Sequence, residues 1–325
     1  MKNRITEALS LAIALLFYSG VALAQAYPSK PIKLIVPFAA GGPSDAHMRQ
    51  VAAAMAKQLK QPIIVENVPG GGGNIGPTRV ARMAPDGYTL MHGNTGLVTA
   101  PAMFKNLEYS PLTDFDYIGL VAFDPSVLMV RGDFPATGSF KEFLAYVKAN
   151  QSKLQIGAPA GPSQLSALLF QALTGTTLTT VPYQSAPQAM NDLLAGRIDL
   201  LSNSSIVVVP FIKSGKLKPI GIGGKFRIAS LPEVPTLDEQ GLTGYDTVVW
   251  TALFAPRHLP NPVLERLSSA LQDSLSDPDL VAYFTKLSSK VATREQATPA
   301  ALEAVVKTDF EKWGTVLKNA GIKPE

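Results

Sequence analysis

Short β-prone runs alternate with helical patterns along most of this chain, and this alternation constrains the fold more than any other feature. The same rhythm appears in the first third and restarts after residue 139. A strand that is followed by a crossover helix and another strand builds a parallel sheet, so the sequence predicts two α/β units. The predicted strands are 32–36, 63–66, 88–91, 154–157, 178–181, 198–201 and 217–222, and the predicted helices are 44–59, 74–83, 139–148, 163–173 and 187–195.

Two strand-like stretches lie between these units. One runs from Tyr117 to Val130 with Pro125 inside it, and the other runs from Thr247 to Ala255. We interpret both as crossovers between two lobes, with lobe 1 at 27–122 and 250–325 and lobe 2 at 123–249. Three helices at 262–275, 280–287 and 299–317 should pack back on lobe 1, with Thr298 as the N-cap of the last one. Two lobes joined by two extended strands predict a cleft in which a ligand binds.

The first 26 residues resemble an export leader. Lys2 and Arg4 precede an apolar run from Leu9 to Tyr18, and small residues follow, with cleavage expected near Ala24 or Ala26. The apolar run is far shorter than the roughly 20 residues of a membrane-spanning helix. The chain has no cysteine, so it offers neither a lipid acceptor nor disulfides. We therefore expect a periplasmic protein.

Composition excludes several classes of function. Removing Lys2, Arg4 and Glu7 with the leader leaves 27 basic and 24 acidic residues, and no basic block indicates nucleic-acid binding. The three histidines have no metal-ligand spacing, and neither a nucleophile elbow nor a P-loop is present. We expect no metal, no cofactor and no enzymatic activity, although a carboxylate acid–base pair would be invisible in the sequence.

The loop after the first strand, residues 37–45, carries the clearest anion-binding pattern. Gly41 and Gly42 permit close backbone approach, Ser44 is a natural N-cap, and free amides at a helix start favour an anion. An ordinary tight turn with a capping serine would look the same. Residues 71–76 form a formal G-x-G-x-x-G, but no acidic residue follows at the distance that a dinucleotide site needs.

Further polar groups follow other strands. His92, Gly93, Asn94 and Thr95 end the third strand, and His92 either donates to a carboxylate or is a strand histidine satisfied by the backbone. In the second unit, residues 158–164, 183–187 and 202–205 mix small residues with Ser, Asn or Gln near helix starts. This recurrence favours an anion clamp over a single capped turn.

The sequence also resembles a known family. The strings YPSKPIKLIVPFAAGGPSD, QPIIVENVPGGGGNIG, APDGYTLMHGNTG and VPYQSAPQAMNDLLAGRIDLL are similar to those of the tripartite tricarboxylate transporter receptors, also called the Bug family of periplasmic solute-binding proteins. The matching strings follow the family's order over essentially the whole exported chain. The resemblance implies a type II periplasmic-binding-protein fold with Venus-flytrap closure around a carboxylate. It also implies a monomeric receptor that hands its solute to a membrane permease.

The resemblance implies a pincer from the loops after the first and third strands, completed by the second lobe. Carried over position by position, the implied ligand-binding residues are Phe38, Ala39, Gly41, Gly42, Ser44, Asp45, His92, Gly93, Asn94, Thr95, Ala158, Ser163, Gln164, Tyr183, Gln184, Ser185 and Asn203.

The chain departs from the family pattern at Gln164, where a His is frequent, and at Gln184, where Lys or Arg is frequent. These departures favour uncharged recognition of the far end of a dicarboxylate, amino acid or aromatic acid. A sensor without a permease, or a cleft enzyme, is the alternative.

Overall fold

The computed structural model describes residues 27–159, 161–183, 185–322 and 324. The leader prediction for residues 1–26 and the ligand-contact prediction for Gln184 lie outside the described residues. Two β-sheets covered by helices form the framework, which confirms the predicted α/β class.

The first sheet has six strands. They are β1 (Ile32–Val36), β2 (Ile63–Asn67), β3 (Thr89–Asn94), β4 (Phe115–Asp124), β10 (Val249–Pro256) and β11 (Lys290–Val291). Their order is β11-β4-β10-β3-β1-β2. Strand β1 pairs in parallel with β2 and β3, whereas β10 is antiparallel to both β3 and β4. The carboxyl ends of the three parallel strands therefore open on one edge, as the alternation predicts.

The second sheet has five strands. They are β5 (Ser126–Arg131), β6 (Gln155–Pro159), β7 (Thr179–Tyr183), β8 (Leu200–Ser204) and β9 (Leu217–Gly223), in the order β7-β6-β8-β5-β9. Strand β6 pairs in parallel with β7 and β8, and β5 is antiparallel to β8 and β9.

The chain passes between the sheets at Pro125. The long strand-like run divides there, with β4 ending at Asp124 and β5 starting at Ser126, because proline has no N–H for a ladder hydrogen bond. The return path lies between Gly223 and Val249, which faces Asp124 in the antiparallel register. The lobe limits proposed from the sequence stay predictions.

Ten helices are found in the described part of the chain. They are α1 (Pro43–Leu59), α2 (Ile75–Ala81), α3 (Thr95–Met103), α4 (Phe140–Asn150), α5 (Pro162–Thr174), α6 (Ala186–Leu194), α7 (Ser205–Lys213), α8 (Asn261–Ser274), α9 (Pro278–Lys286) and α10 (Pro299–Asn319). Helix α10 packs against β4 and α3, and also against α5 of the second unit.

Two predicted helix caps have different outcomes. The hydroxyl of Thr298 accepts a hydrogen bond from the amide of Ala301 at 3.2 Å, so its N-cap role is confirmed. The predicted N-cap role of Ser44 is wrong, because Gly42 occupies the cap position and Pro43 is the first helical residue. Proline fits that position since its fixed φ is helical and the first amide needs no partner.

The glycine-rich loop at 70–76 serves packing. Residues Gly71–Gly73 form a single 3₁₀ turn before α2. A Cβ at Gly76 would lie 2.8 Å from the Cβ of Pro37, and a Cβ at Gly72 would lie 2.8 Å from the ring of Phe104. Gly76 therefore lets this loop approach the loop after β1, and Gly72 lets it approach the end of α3.

Candidate ligand-binding site

A cavity of about 260 Å³ lies between the two sheets. Strand ends, helix starts and both crossovers build its walls. The first sheet and the crossovers contribute Pro43, Ser44, His47, Asn94, Asp124, Ser126, Val249 and Thr251, and the second sheet contributes Pro162, Ser163, Ser166, Ala186, Asn203, Ser204, Ile206 and Val207.

Four helices begin at this cavity, namely α1, α5, α6 and α7. No side chain among the described residues caps any of these four starts. In α1 and α5 the amides of Ser44 and Ser163 are therefore donors that the helix cannot use, and the helix dipoles add partial positive charge at all four starts. Of the other helices, α3, α4, α9 and α10 are capped by side chains, whereas α2 and α8 also lack a side-chain cap among the described residues but begin away from the cavity. The cavity is thus suited to an anion.

A second cavity, of about 330 Å³, is lined by Phe123, Val248 and Trp250. These residues alternate along the chain with Asp124, Val249 and Thr251, which line the cavity between the sheets. The second cavity therefore opens on the other face of the crossovers. Its helical wall is the middle of α10 from Ala304 to Lys312, and no helix starts there. The cavity between the sheets is the better candidate site for this reason.

Four of the predicted contact residues, Ser44, Asn94, Ser163 and Asn203, line the cavity between the sheets. The side-chain oxygen of Asn203 accepts a hydrogen bond from the amide of Ser204 at 2.8 Å. Its Nδ2 is buried and has no partner among the described residues. The structure therefore leaves an amide donor for a ligand at Asn203.

The other predicted residues lie elsewhere in this conformation. Phe38, His92 and Gly93 line a separate pocket of about 30 Å³ beside the glycine-rich loop, and Asn94 borders both spaces. The predicted residues that line neither space are Ala39, Gly41, Gly42, Asp45, Thr95, Ala158, Gln164, Tyr183 and Ser185. Their contact with a ligand stays a prediction.

The carboxylate of Asp45 is already occupied by the protein. It accepts hydrogen bonds from the amide of Gly41 at 2.9 Å, from Nε of Arg49 at 3.0 Å and from Nδ2 of Asn67 at 2.9 Å. The hydrogen bond from Arg49, followed by those from Gly41 and Asn67, lowers the pKa of Asp45 to about 2. The side chain holds the loop after β1, and only the backbone amide of Asp45 is left for an anion.

His92 is buried within the first sheet, and its ring lies edge-on to Phe38 with centroids 5.8 Å apart. Burial, reinforced by the nearby His47, lowers the pKa of His92 to about 3. The imidazole is therefore neutral at physiological pH. It can offer a neutral hydrogen bond but no positive charge to an acid.

The hydroxyl of Tyr183 donates to Oδ2 of Asp192 at 2.8 Å, and Arg197 pairs with the same carboxylate. Burial and this hydrogen bond raise the pKa of Tyr183 to about 12. The hydroxyl is directed at α6 and not into the cavity. A ligand contact from this side chain would need Tyr183 to exchange its partner.

Sequence reasoning missed His47 and Asp124. His47 lies one helical turn after Ser44 and so shares its face of α1, which is a signal that the sequence contained. Asp124 ends β4 at the crossover, and no local pattern marked it. Burial lowers the pKa of His47 while Asp124 opposes this effect, and burial raises the pKa of Asp124.

Below the cavity, three hydroxyl side chains tie the crossovers together. Ser126 and Thr247 share a hydrogen bond of 2.5 Å between their hydroxyl oxygens, and the hydroxyl of Ser202 donates to that of Ser126 at 3.1 Å. The amide of Ser205 also donates to the carbonyl of Pro125 at 3.0 Å. These bonds link the start of α7 and both connecting segments at the floor of the cavity.

Two α/β sheets, two crossovers and a cavity of uncapped helix starts between them define a two-lobed solute-binding protein. The chain belongs to the tripartite tricarboxylate transporter family of receptors, since that family's model matches residues 47–322. The predicted family is confirmed, and so is the prediction of a receptor and not an enzyme. The chain is a solute-binding receptor of a periplasmic-binding-protein family.

Relatives agree with this assignment over most of the chain. A protein of Agrobacterium vitis, encoded in the TAR-I ttuE-ttuC' intergenic region, is 40% identical over 93% of this chain and 88% of its own length. The periplasmic binding protein BugD is 38% identical with a TM-score of 0.74, covering 92% of this chain and 100% of BugD. MatC of Rhodopseudomonas palustris, solved with bound malate, is 35% identical with a TM-score of 0.73, covering 90% and 100%.

Neither a membrane-spanning helix nor a cluster of metal-binding side chains is found among the described residues. Within that part of the chain no helix has the length and apolar character required to span a membrane. No group of three or more His, Asp or Glu side chains in it is arranged to hold a metal ion.

Proposed function

We propose that this chain is an exported receptor that captures a small organic acid in the cavity between its sheets for transport of the tripartite tricarboxylate type. A dicarboxylate, an amino acid or an aromatic carboxylate would suit the family resemblance. The convergence of four uncapped helix starts on one cavity carries the proposal. The malate bound by the relative MatC is an acid of this kind.

The cavity would hold a carboxylate through neutral donors. The amides of Ser44 and Ser163 precede the first intrahelical hydrogen bonds of α1 and α5, and the Nδ2 of Asn203 has no partner among the described residues. Neutral donors and helix dipoles stabilise an anion without the desolvation cost of burying a lysine or arginine beside it. Such binding is compatible with release of the solute to a partner.

Binding is tested by a thermal-shift screen of the exported, purified chain against organic acids, followed by calorimetry. An acid present at about 100 times its Kd should add about 2.7 kcal/mol to the free energy of unfolding and raise Tm by several degrees. Stabilisation by sugars or metal ions, with no response to any carboxylate, would contradict the proposal.

Asn203→Ala provides the site test. Loss of a hydrogen bond to a charged ligand costs about 1.5–3 kcal/mol, so the variant should bind the acid roughly tenfold or more weakly. Asn106→Ala, at an exposed position outside the cavity, is the matched control and should retain the affinity of the natural protein. Equal affinities for the two variants would place the ligand elsewhere.

The proposed function also includes export of the chain, a membrane permease as its partner and a monomeric state. Removal of a leader of about 24–26 residues predicts a processed chain in the periplasmic fraction. We infer a monomer that serves a membrane permease, and deletion of the receptor should abolish uptake of the bound acid. Normal uptake without the receptor, together with intact binding, would favour a sensory role instead.

A further inference from the structure

The charges around the cavity are few and of one sign. Among its described lining residues there is no Lys or Arg, and Asp124 is the one acidic side chain. Ala160 and Gln184, which precede α5 and α6 in the sequence, are uncharged residue types. Burial favours the neutral form of His47. The site therefore offers helix dipoles to an anion and one carboxylate to a cation.

Among the described residues the carboxylate of Asp124 has no Lys or Arg partner, and the ionisable group beside it is His47. Asp124 is 9% exposed, and its Oδ1 accepts a hydrogen bond from the hydroxyl of Ser289. Within the described part of the chain its Oδ2 accepts no hydrogen bond, and no Lys or Arg forms an ion pair with it. Burial raises the pKa of Asp124 and lowers that of His47, so neither side chain is stabilised in its charged form by the protein alone. A ligand cation on Asp124 would stabilise its carboxylate.

Two further features of the walls indicate what else the ligand carries. Nε2 of His47 and Nδ2 of Asn203 are buried, line the cavity and have no partner among the described residues. Ile206, Val207 and Val249 add an aliphatic wall, and Val207 is 42% exposed. The cavity thus pairs polar end groups with an apolar surface, as small-molecule sites commonly do.

We propose that the solute is an amino acid with an apolar side chain, bound as a zwitterion with its ammonium group on Asp124 and its carboxylate at the helix starts. This inference rests on the function proposed above. It makes Asp124 the residue that determines specificity, because Asp124 distinguishes an amino acid from the corresponding simple acid.

Charge balance supports a zwitterion over a dicarboxylate. A dianion would bring two negative charges to a cavity that holds a carboxylate and, among its described lining residues, no cation. An amino acid brings one positive and one negative charge, and the cavity has a group of opposite character for each. Its ammonium group meets the crossover wall of Asp124 and Ser126, while its carboxylate meets the amides of α1 and α5. The side chain is left for Ile206 and Val207.

Matched ligand pairs test this inference on the natural protein. Calorimetry compares L-leucine with 4-methylpentanoate and L-phenylalanine with 3-phenylpropanoate, which differ only by the ammonium group, and includes malate and adipate. At least one amino acid should bind tenfold or more tightly than its partner acid and than both dicarboxylates. If a simple acid or a dicarboxylate binds as tightly as the amino acids, the inference is overturned while the proposed function stands.

Asp124→Asn keeps the shape of the side chain and removes its charge. The variant should lose roughly 30-fold or more in affinity for the amino acid and little for the partner acid, so that the preference disappears. Asp133→Asn is the control, since the side chain of Asp133 is 74% exposed and does not line the cavity. Thermal unfolding verifies that both variants fold.

Two outcomes of the variant experiment contradict the inference. An unchanged amino-acid preference in Asp124→Asn would show that another group binds the ammonium. Retained tight binding of adipate or malate by the variant would show that Asp124 acts as a protonated donor to a second carboxylate. If no acid of any kind binds the natural protein, the proposed function fails as well, and the two failures are thereby distinguished.

Discussion

Asp45 stabilises the loop that follows the first strand. Its two oxygens join the amide of Gly41, the guanidinium of Arg49 and the side chain of Asn67, so one residue connects the loop, the first turns of α1 and the end of β2. The position of Asp45 beside the glycines suggested a ligand contact. That contact stays a prediction, and in the structure the side chain holds the shape of the loop after β1.

Asp45→Ala should destabilise the protein. The substitution leaves the amide of Gly41 and the side chain of Asn67 without their acceptor, which costs roughly 1–3 kcal/mol. Urea denaturation measures this change in the free energy of unfolding. Asp133→Ala, at an exposed position, should change stability by less than about 0.5 kcal/mol. Equal effects of the two substitutions would show that the Asp45 network contributes nothing specific.

Four residues that line the cavity were predicted from the sequence, whereas His47 and Asp124 were not. Asn94 and Asn203 lie at strand ends and Ser44 and Ser163 lie at helix starts that follow strands, so the local pattern identified all four. Asp124 lies at a strand end that reaches the cavity only because β4 pairs with β10, 125 residues further along at Val249. Such long-range pairing has no local signature, and the most informative charge in the site was missed.

At the scale of elements, the predicted strands and helices agree with the structure to within a few residues, but α7 was not predicted. The residues Ile206 to Val209 are β-branched and precede Pro210, a composition that does not favour a helix. Nevertheless α7 spans Ser205–Lys213, and the amide of Ser205 donates to the carbonyl of Pro125. Packing between the crossover and the second sheet thus overrides the intrinsic preference of this segment.

Close packing of β4 gives a prediction about one glycine. A Cβ at Gly119 would lie 2.6 Å from the carbonyl oxygen of Ala297, whereas a Cβ at Gly314 in α10 would meet no atom within 4 Å. Gly119→Ala should cost about 1–3 kcal/mol because the segment before α10 must shift. Gly314→Ala should stabilise by up to about 1 kcal/mol. Thermal or urea unfolding compares the pair, and equal effects would refute the packing argument.

At the scale of the whole molecule, stability should depend on pH through His92. Its pKa is about 3 in the folded state and about 6.5 in an unfolded chain. Below pH 6.5 the unfolded state binds the extra proton, so the free energy of unfolding falls as pH decreases from 6.5 toward 3. The contribution of His92 to this slope approaches about 1.4 kcal/mol per pH unit.

Urea denaturation at several pH values between 7.5 and 5 measures the slope. His92→Gln should flatten it, because the replacement does not titrate. His258→Gln should leave the slope unchanged, since His258 is exposed. A slope that is the same in His92→Gln and in the natural protein would mean that His92 is not held neutral by the fold.

The first passage of the chain between the sheets occupies a single residue, Pro125, and both of its neighbours line the cavity. If the lobes turn about this point, as the family resemblance implies, a bound solute touches the molecule at its pivot. A rotation about this point displaces atoms in proportion to their distance from it, so the lobe tips move further than the residues that touch the solute. The solute and the extent of lobe closure are then coupled. A substitution at Asp124 or Ser126 that changes which solute binds would also change how far the lobes close.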